Sequence, residues 1–422
     1  MNIIIHTIEI INEITNTDLG AVLDTLNFPR HKKICILYAH SNRQHNILAV
    51  SRRCIILDHP QYGIKVVRVL YMREGNIARY YLILQIELNH MLTGERQMQL
   101  FQCTPDNLRT LHNNFTTALH DLLPQFPIYH DMASWNARRI DYTFDFKFPS
   151  RNESDLFLEL SKHSSRYIRT KLIRDDDLKI KDQSHAEVNK STKSIFYDKE
   201  KQVREVYRGI PNDKFNNLIK GVANTIRFEV QCNSRKINSI KSTSKIPLRR
   251  IIYFLREDIA VDLLLKRYHH MVGAGDFWTY YHAEKIINDS DNRPSTKQTL
   301  INTLRLIAQA RHIDIARKQF VNGVTLGKTK DKIIMQGSVA TFDNRVGVLR
   351  QLGVNPVLIP RDYSTRTHIT HLANPLSQLQ AYADSIVPLP IDIWYDIMGL
   401  NSKIADITPD EWDEMLDEWL FY

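Results

Sequence analysis

The chain is poor in cysteine and contains no long apolar run. Its 422 residues include four cysteines, Cys35, Cys54, Cys103 and Cys232, which show neither a paired metal-ligand spacing nor a secretory context. We therefore expect reduced, mostly buried thiols and no disulfide framework. No stretch approaches the roughly 18 apolar residues of a membrane span, and the amino terminus lacks the cationic start of a signal peptide. These absences predict a cytoplasmic protein that has no membrane partner.

Positive charge, by contrast, is in excess. The chain carries 56 Lys and Arg against 47 Asp and Glu, which gives a formal net charge of +9. Such a balance favours polyanionic partners, and together with the missing membrane signals it points to nucleic acid. The length exceeds the usual size of one domain, so two domains are the natural expectation.

Short alternating runs predict a sheet in the first part of the chain, with an early strand at 33–38. Successive residues of a strand face opposite sides, so in residues 139–146 one face is polar and the other is apolar. Residues 226–231 divide in the same way, and the run 81–89 places Glu87 where it could join the acidic side. The apolar faces build a core. The polar members of the two runs 139–146 and 226–231 are Arg139, Asp141, Thr143, Asp145, Arg227, Glu229 and Gln231.

Apolar residues recur at helical spacing in the second part of the chain, and also at residues 107–122 in the first part. The predicted helices there lie at 248–265, from Pro294, at 343–352 and from Thr408. Their basic residues allow a helix-turn-helix or a winged variant, and any small helical bundle would show the same spacing. The predicted fold is α+β. A mainly antiparallel sheet domain with packed helices occupies residues 1–245, and a mostly helical DNA- or partner-binding region occupies 246–422.

The polar faces predict a metal site beside a tyrosine. Carboxylates suit hard cations such as Mg²⁺ and Mn²⁺, and Tyr197 lies in a further strand-like run, 194–199. A free phenol has a pKa of about 10, so a nucleophilic Tyr197 needs help, which Lys199 could supply by favouring the phenolate or by neutralising a pentacovalent phosphorus. The structural alternative stays open, because a tyrosine in a strand is usually a core aromatic and an exposed acid is usually solvated. The candidate metal ligands are Glu87, Asp141, Asp145 and Glu229.

Three motifs in this order resemble the rolling-circle replication initiators. They are Arg-Ile-Asp-Tyr-Thr-Phe-Asp-Phe at 139–146, Ile-Phe-Tyr-Asp-Lys-Glu-Lys at 195–201 and Ile-Arg-Phe-Glu-Val at 226–230. Both the trans-acting Rep proteins of Gram-positive plasmids and the gene-two-type replication endonucleases of filamentous phages show this succession. The similarity covers roughly residues 80 to 245, and more loosely the chain to about Pro360.

The resemblance implies a site-specific endonuclease that nicks one strand at an origin. It would stay joined to the 5′ phosphate through tyrosine and leave a 3′ hydroxyl for polymerase. Tyr197 matches the nucleophile of the family, and Asp141, Asp145 and Glu229 match the acids of its two strand motifs. Glu87 lies in a segment similar to an upstream acidic strand. The implied partners are origin DNA, single-stranded or as an extruded hairpin, with a host helicase and replication machinery in a bacterial cytoplasm.

One departure separates this chain from the related HUH nucleases. Those enzymes use a His-apolar-His metal pair, which this sequence lacks, since His368 and His371 are three residues apart. The departure favours a site built from carboxylates. Two alternatives remain open: a mobilisation relaxase with the same chemistry, and a non-catalytic, sequence-specific DNA-binding regulator. The basic residues expected at DNA are Arg139, Lys193, Arg227, Arg235 and Lys236.

Overall fold

A computed structural model of the chain describes residues 4–15, 17–25, 52–55, 62–74, 77–95, 100–164, 184–206, 212–327 and 333–388. Within these residues the predicted α+β class is confirmed, with an antiparallel sheet and packed helices first and a mostly helical region after it. The predicted strand at 33–38 and the predicted helix from Thr408 lie outside the described residues. The division at residue 245 stays a prediction.

A single eight-stranded sheet organises the first part of the chain. Its strand order is β2-β3-β4-β1-β5-β8-β7-β6, and every neighbouring pair is antiparallel. The order places the three motif strands, β5, β8 and β7, side by side. In chain order, the strands are β1 Ile4–Ile14, β2 Arg52–Ile55, β3 Ile64–Glu74, β4 Ile77–Glu87, β5 Asn136–Lys147, β6 Ser184–Val188, β7 Thr192–Asp198 and β8 Thr225–Asn233.

Helices accompany the sheet and make up most of the later chain. The helices of the first part are α1 Leu19–Thr25, α2 Leu88–Thr93, α3 Pro105–Leu122, α4 Arg151–Ser164, α5 Lys199–Val206, α6 Asn212–Val222 and α7 Ser234–Thr243. Those of the second part are α8 Glu257–Met271, α9 Tyr280–Asp289, α10 Pro294–Ala310, α11 Ile313–Asn322, α12 Val339–Gln351, α13 Arg361–Thr367 and α14 Leu376–Ser385. Two small ladders join them: β9 Phe277–Trp278 with β12 His371–Leu372, and β10 Val324–Leu326 with β11 Ile333–Met335.

Aromatic side chains form the core on one face of the sheet. The rings of Phe196 and Phe228 stack at 4.3 Å on neighbouring strands, and Phe146 of β5 lies within 6.5 Å of both. Helix α8 covers this layer with Tyr268, whose ring lies 5.4 Å from that of Phe146. Offset and edge-on ring contacts of this kind add stability beyond the buried area. The residues between these aromatics therefore point to the opposite, polar face.

Several predicted element boundaries differ from the structure. Strand β7 ends at Asp198, because the Asp198 carboxylate accepts a hydrogen bond from the backbone N of Lys201 at 3.0 Å and caps helix α5. Lys199 is therefore the first residue of that helix, and its interpretation as a strand residue is wrong. The helix predicted from residue 248 begins instead at Glu257, after a 3₁₀ turn at Ile251–Phe254.

The expectations about cysteine and membrane spans concern only part of the chain. Cys103 and Cys232 are buried free thiols, as predicted, whereas the side chains of Cys35 and Cys54 lie outside the described residues. None of the helices that the structure describes combines the length and the apolar character needed to cross a bilayer.

Candidate functional site

Strand register brings the three motifs, on β5, β7 and β8, together on the polar face. Asp145 of β5 is directly opposite Arg227 of β8, and Arg227 is in turn opposite Tyr197 of β7. Directly opposed residues of antiparallel strands have Cβ atoms about 4.5–5.5 Å apart and share a face. The predicted nucleophile therefore lies two strands from a predicted metal ligand, with a buried arginine between them.

The next two rows of the same face hold the remaining motif residues. Glu229 of β8 lies opposite Thr143 of β5, and Asp141 lies opposite Gln231. Asp141 and Glu229 are thus diagonal neighbours, close enough for their charges to interact. Lys193 of β7 is opposite Gln231 and completes the row. Three sequence motifs far apart in the chain converge on one patch of sheet.

Tyr197 is a buried phenol between an acid and an arginine. Only 3% of the residue is exposed, and its hydroxyl donates a hydrogen bond to Oε2 of Glu229 at 3.4 Å. Burial, followed by the negative charge of Glu229, raises the pKa of Tyr197 well above 10, and the Arg227 guanidinium partly opposes that rise. The phenol therefore keeps its proton at neutral pH. A reaction at the phenolic oxygen needs a group that accepts this proton, and the Glu229 carboxylate is hydrogen-bonded to the hydroxyl.

Arg227 and Arg139 each engage one predicted metal ligand. Arg227 donates from Nε to Asp145 Oδ1 at 2.6 Å and from Nη2 to Oδ2 at 2.8 Å. Arg139 donates to Asp141 in the same two-pronged way at 2.8 and 2.7 Å. Bidentate pairs of this kind orient both planar groups. Both arginines were expected at DNA. The structure places them among Asp141, Asp145 and Glu229, which we call the acidic cluster.

Asp141 is the acid whose environment most disfavours charge. The residue is 1% exposed. Burial raises the pKa of Asp141 to about 7 against the opposing effect of Arg139, and the charge of Glu229 adds to the rise. Glu229 in turn accepts a hydrogen bond from Nε2 of Gln231 at 2.7 Å. The two carboxylates therefore repel each other across one strand gap.

Glu87 and Lys199 lie at the margins of this cluster. Glu87 ends β4 opposite Thr7 of β1, so that β1 separates it from β5, and it pairs with Lys65. Lys199 is 6% exposed, and its Nζ donates to Oε1 of Gln202 at 2.8 Å. Burial, followed by the charge of Arg227, lowers the pKa of Lys199 to about 7. The amine is therefore poised between its two protonation states near neutral pH.

The two other basic residues predicted at DNA lie past the end of β8. Arg235 and Lys236 occupy the first turn of α7, where the Asn233 side chain accepts a hydrogen bond from the backbone N of Lys236 at 3.4 Å. Both side chains are half-buried. They belong to the end of the sheet where Arg139 pairs with Asn233, so they border the acidic cluster without entering it.

His6 is a member of the polar face that sequence reasoning missed. Ile5 and Ile8 both lie in the core at 0% exposure, and the register of β1 against β5 shifts between them. This β-bulge leaves His6 and Thr7 on the polar side. Burial and then the charges of nearby Arg and Lys residues lower the pKa of His6 well below 6.5, so the imidazole is neutral. The break in alternation at Ile5-His6-Thr7-Ile8 was the available signal.

The donor set fits a hard dication in its chemistry. Asp141 and Glu229 supply neighbouring carboxylates, with oxygens of Thr143 and Gln231 beside them, and the repulsion that raises the pKa of Asp141 is one that a divalent ion would relieve. In the described residues no three His, Cys, Asp or Glu side chains converge as a metal-holding group. Asp141 and Asp145 instead face their arginines, so cation binding requires them to exchange partners.

Comparisons of the chain with protein-family models, with curated proteins and with solved structures find no match.

Proposed function

We propose that this protein is a replication initiator that nicks one DNA strand at an origin through Tyr197. The observation that supports it best is the row Asp145, Arg227 and Tyr197, with Glu229 accepting the phenolic hydrogen bond. A tyrosine held among acids and arginines on a polar sheet face has a proton acceptor on one side and a cation on the other. Tyr142 of β5, by contrast, lies on the opposite face, where its hydroxyl donates to a backbone carbonyl in the core.

The chemistry proposed is a transesterification that conserves the phosphodiester bond energy. The Tyr197 oxygen attacks the phosphorus, the phenolic proton passes to Glu229, and the bond from phosphorus to the 3′ oxygen breaks. The leaving oxygen takes up a proton to become a 3′ hydroxyl, and the 5′ phosphate stays on the tyrosine. Arg227 and Lys199 provide positive charge next to the phosphate as its charge develops. Since Tyr197 is 3% exposed, the DNA strand must displace the side chains that cover the tyrosine ring.

A divalent ion fits this proposal as the cofactor. Asp141 and Glu229 would hold Mg²⁺ or Mn²⁺, with Asp145 and Glu87 as further predicted ligands on the same face. When bound, such an ion would polarise the phosphate and offset negative charge in the transition state. The arginine partners of the two aspartates would then be released toward the DNA backbone, the role predicted for Arg139 and Arg227.

A nicking assay tests the nucleophile. Supercoiled plasmids carrying fragments of the DNA that surrounds the gene are incubated with the protein and Mg²⁺ or Mn²⁺. We expect open circles carrying a covalently attached protein, and mass spectrometry should find the nucleotide on Tyr197. Tyr197→Phe should abolish both products and retain DNA binding.

Tyr142→Phe is the matched control for this assay. It removes a hydroxyl from strand β5, two strands from β7, where Tyr142 donates to the carbonyl of Phe254 at 3.0 Å in the core. This variant should still nick. Normal nicking by Tyr197→Phe would refute the assigned nucleophile. Nicking confined to a transfer origin would favour the mobilisation relaxase, and binding without nicking would favour the DNA-binding regulator, for which the paired acids would be structural.

A further inference from the structure

A second group of aromatic residues lies in the helical part of the chain, away from the acidic cluster. We call it the aromatic platform and define it as Trp278, Tyr281, His282 and His371. His371 and Trp278 are paired across β12 and β9, and their rings stack at 3.9 Å with 22° between the planes. The His282 ring lies 6.4 Å from Trp278 and 5.3 Å from Tyr281. The four rings therefore form one contiguous surface.

Polar contacts at the edges of the rings hold the platform in place. His371 Nε2 lies 2.9 Å from Oδ2 of Asp276, and the indole N–H of Trp278 donates to the Gly353 carbonyl at 3.3 Å. Nδ1 of His282 lies 2.7 Å from the Thr279 hydroxyl. Because these bonds use the edges of the rings, the faces are left for packing, and a preorganised surface loses little entropy on binding.

The platform is accessible from solvent. Tyr281 is 70% exposed, and the side chain of His371 is 40% exposed although one face lies on the indole. The aliphatic residues beneath, such as Ile287 and Leu300, are buried at 0% and 1%. What the platform offers to a partner is thus ring surface, with little aliphatic surface of the kind that receives an amphipathic helix.

Exposed cations lie on α9, the helix that carries Tyr281, and on α13, the helix that precedes β12. Lys285 lies four residues after Tyr281 on the exposed side of α9, so the two share a helix face. Arg361 and Arg366 are exposed on α13, just before β12. Within the part of the chain that the structure describes, none of these three cations has a carboxylate partner, and the guanidinium of Arg366 lies over the ring of Tyr363 at 5.3 Å. Aromatic rings together with exposed cations that have no carboxylate partner are the combination that single-stranded nucleic acid binds, since bases stack on rings and phosphates bind cations.

We infer that the aromatic platform binds unpaired bases of a DNA strand at a distance from the cleavage site. Phe277, next to Trp278, packs against Phe157 of α4 at 6.2 Å, on the core side of the sheet. Tyr197 faces the other side. The platform therefore holds a part of the strand remote from the scissile phosphate. The inference rests on the proposed function only in taking DNA as the ligand.

Fluorescence anisotropy with a labelled long oligodeoxythymidylate tests the inference. Stacking contributes roughly 1–3 kcal/mol per base, so Tyr281→Ala and His371→Ala should each weaken binding about 5- to 150-fold. Tyr281→Phe should restore it, because the ring is retained. Ile334→Ala is the matched control, since Ile334 is 78% exposed on β11 and belongs to no aromatic group. Thermal melting should show all four variants folded, as Tyr281 and His371 are exposed.

The dependence of affinity on salt separates the rings from the cations. Arg366→Ala and Lys285→Ala should lower the slope of log affinity against log salt, whereas Tyr281→Ala should shift affinity and leave the slope unchanged.

Binding by Tyr281→Ala and His371→Ala equal to that of Ile334→Ala would overturn the inference, and so would an equal loss on duplex DNA. A short origin oligonucleotide that reaches only Tyr197 should still be nicked by Tyr281→Ala. Failure of the platform and failure of the nuclease are therefore told apart.

Discussion

Arg227 and Asp145 form a two-pronged ion pair across strands β8 and β5, with nitrogen-to-oxygen distances of 2.6 and 2.8 Å. Arg227 is 1% exposed, and the Asp145 carboxylate offsets the free-energy cost of burying its positive charge. The same guanidinium opposes the rise in the pKa of Tyr197. One pair thus links the stability of the sheet to the chemistry of the neighbouring phenol.

Asp145→Ala should destabilise the protein by about 3–5 kcal/mol, because it leaves a buried arginine without its counter-charge. Urea denaturation followed by circular dichroism measures the free energy of unfolding. Asp155→Ala is the matched control. Asp155 has the same two-pronged bond from Arg151, at 3.1 and 2.8 Å, but its side chain is 42% exposed. Exposed pairs contribute about 0–1 kcal/mol. Equal losses for the two variants would contradict the dependence on burial.

Alternation along the chain was enough to predict that Asp141 and Glu229 lie on the polar faces of their strands, but it misplaced Lys199, which begins helix α5. Asp141, Tyr197 and Glu229 all lie on the polar side, as the period of two in their strands requires. Their adjacency was not predictable, because strand order depends on contacts between segments far apart in the chain. The partnership of Arg227 with Asp145 was hidden for the same reason, since the two residues are 82 positions apart.

Local irregularities account for the rest of what was missed. Lys199 follows a strand in the sequence, yet the capping hydrogen bond of Asp198 turns the chain into a helix at that point. His6 lies in a β-bulge of β1. The single extra residue there moves each residue that precedes it in the strand to the face opposite the one that regular alternation predicts. Sequence periodicity assumes regular strands, so it misplaces residues at the two positions where regularity ends.

Manganese should bind at Asp141 and Glu229 and stabilise the folded chain by linkage. We expect added Mn²⁺ to raise the unfolding midpoint of the natural protein, and isothermal calorimetry should detect one site near the acids. Glu229→Gln should remove both effects. Glu153→Gln, a change of the same kind in the first turn of α4, should leave both intact. An unchanged Mn²⁺ response in Glu229→Gln would place the metal elsewhere.

Lys199 should give nicking a pH dependence near neutrality. Its pKa is lowered to about 7, so the ammonium is present below pH 7 and is lost above it. If the positive charge offsets charge on the phosphate, the rate should fall as the pH rises through 7. Lys199→Arg should remove this fall, because an arginine stays charged. A rate that rises through pH 7 in the natural protein but not in Lys199→Arg would show instead that the neutral amine takes the phenolic proton. The comparison is needed because Asp141, whose pKa is also about 7, titrates in both proteins.

His185 should make the fold sensitive to acid. The residue lies on β6, is 3% exposed, and in the described part of the chain neither ring nitrogen has a hydrogen-bond partner. Burial, reinforced by the charge of Lys162, lowers the pKa of His185 to about 3. The unfolded chain, with a pKa near 6.5, takes up the proton first, so stability is intact above pH 6.5 and is lost as the pH falls toward 3. The loss should reach about 2 kcal/mol at pH 5.

His185→Phe should remove that loss and keep the ring stacked on Phe196, which lies 6.2 Å away. At pH 7 it should be at least as stable as the natural protein, because two unpaired nitrogens leave the core. His120→Phe is the control, as the His120 side chain is 69% exposed and its replacement should leave the acid sensitivity in place. Urea denaturation at pH 7 and pH 5 measures both variants. If the His185→Phe protein loses as much stability between these pH values as the natural one, the acid sensitivity arises from other groups.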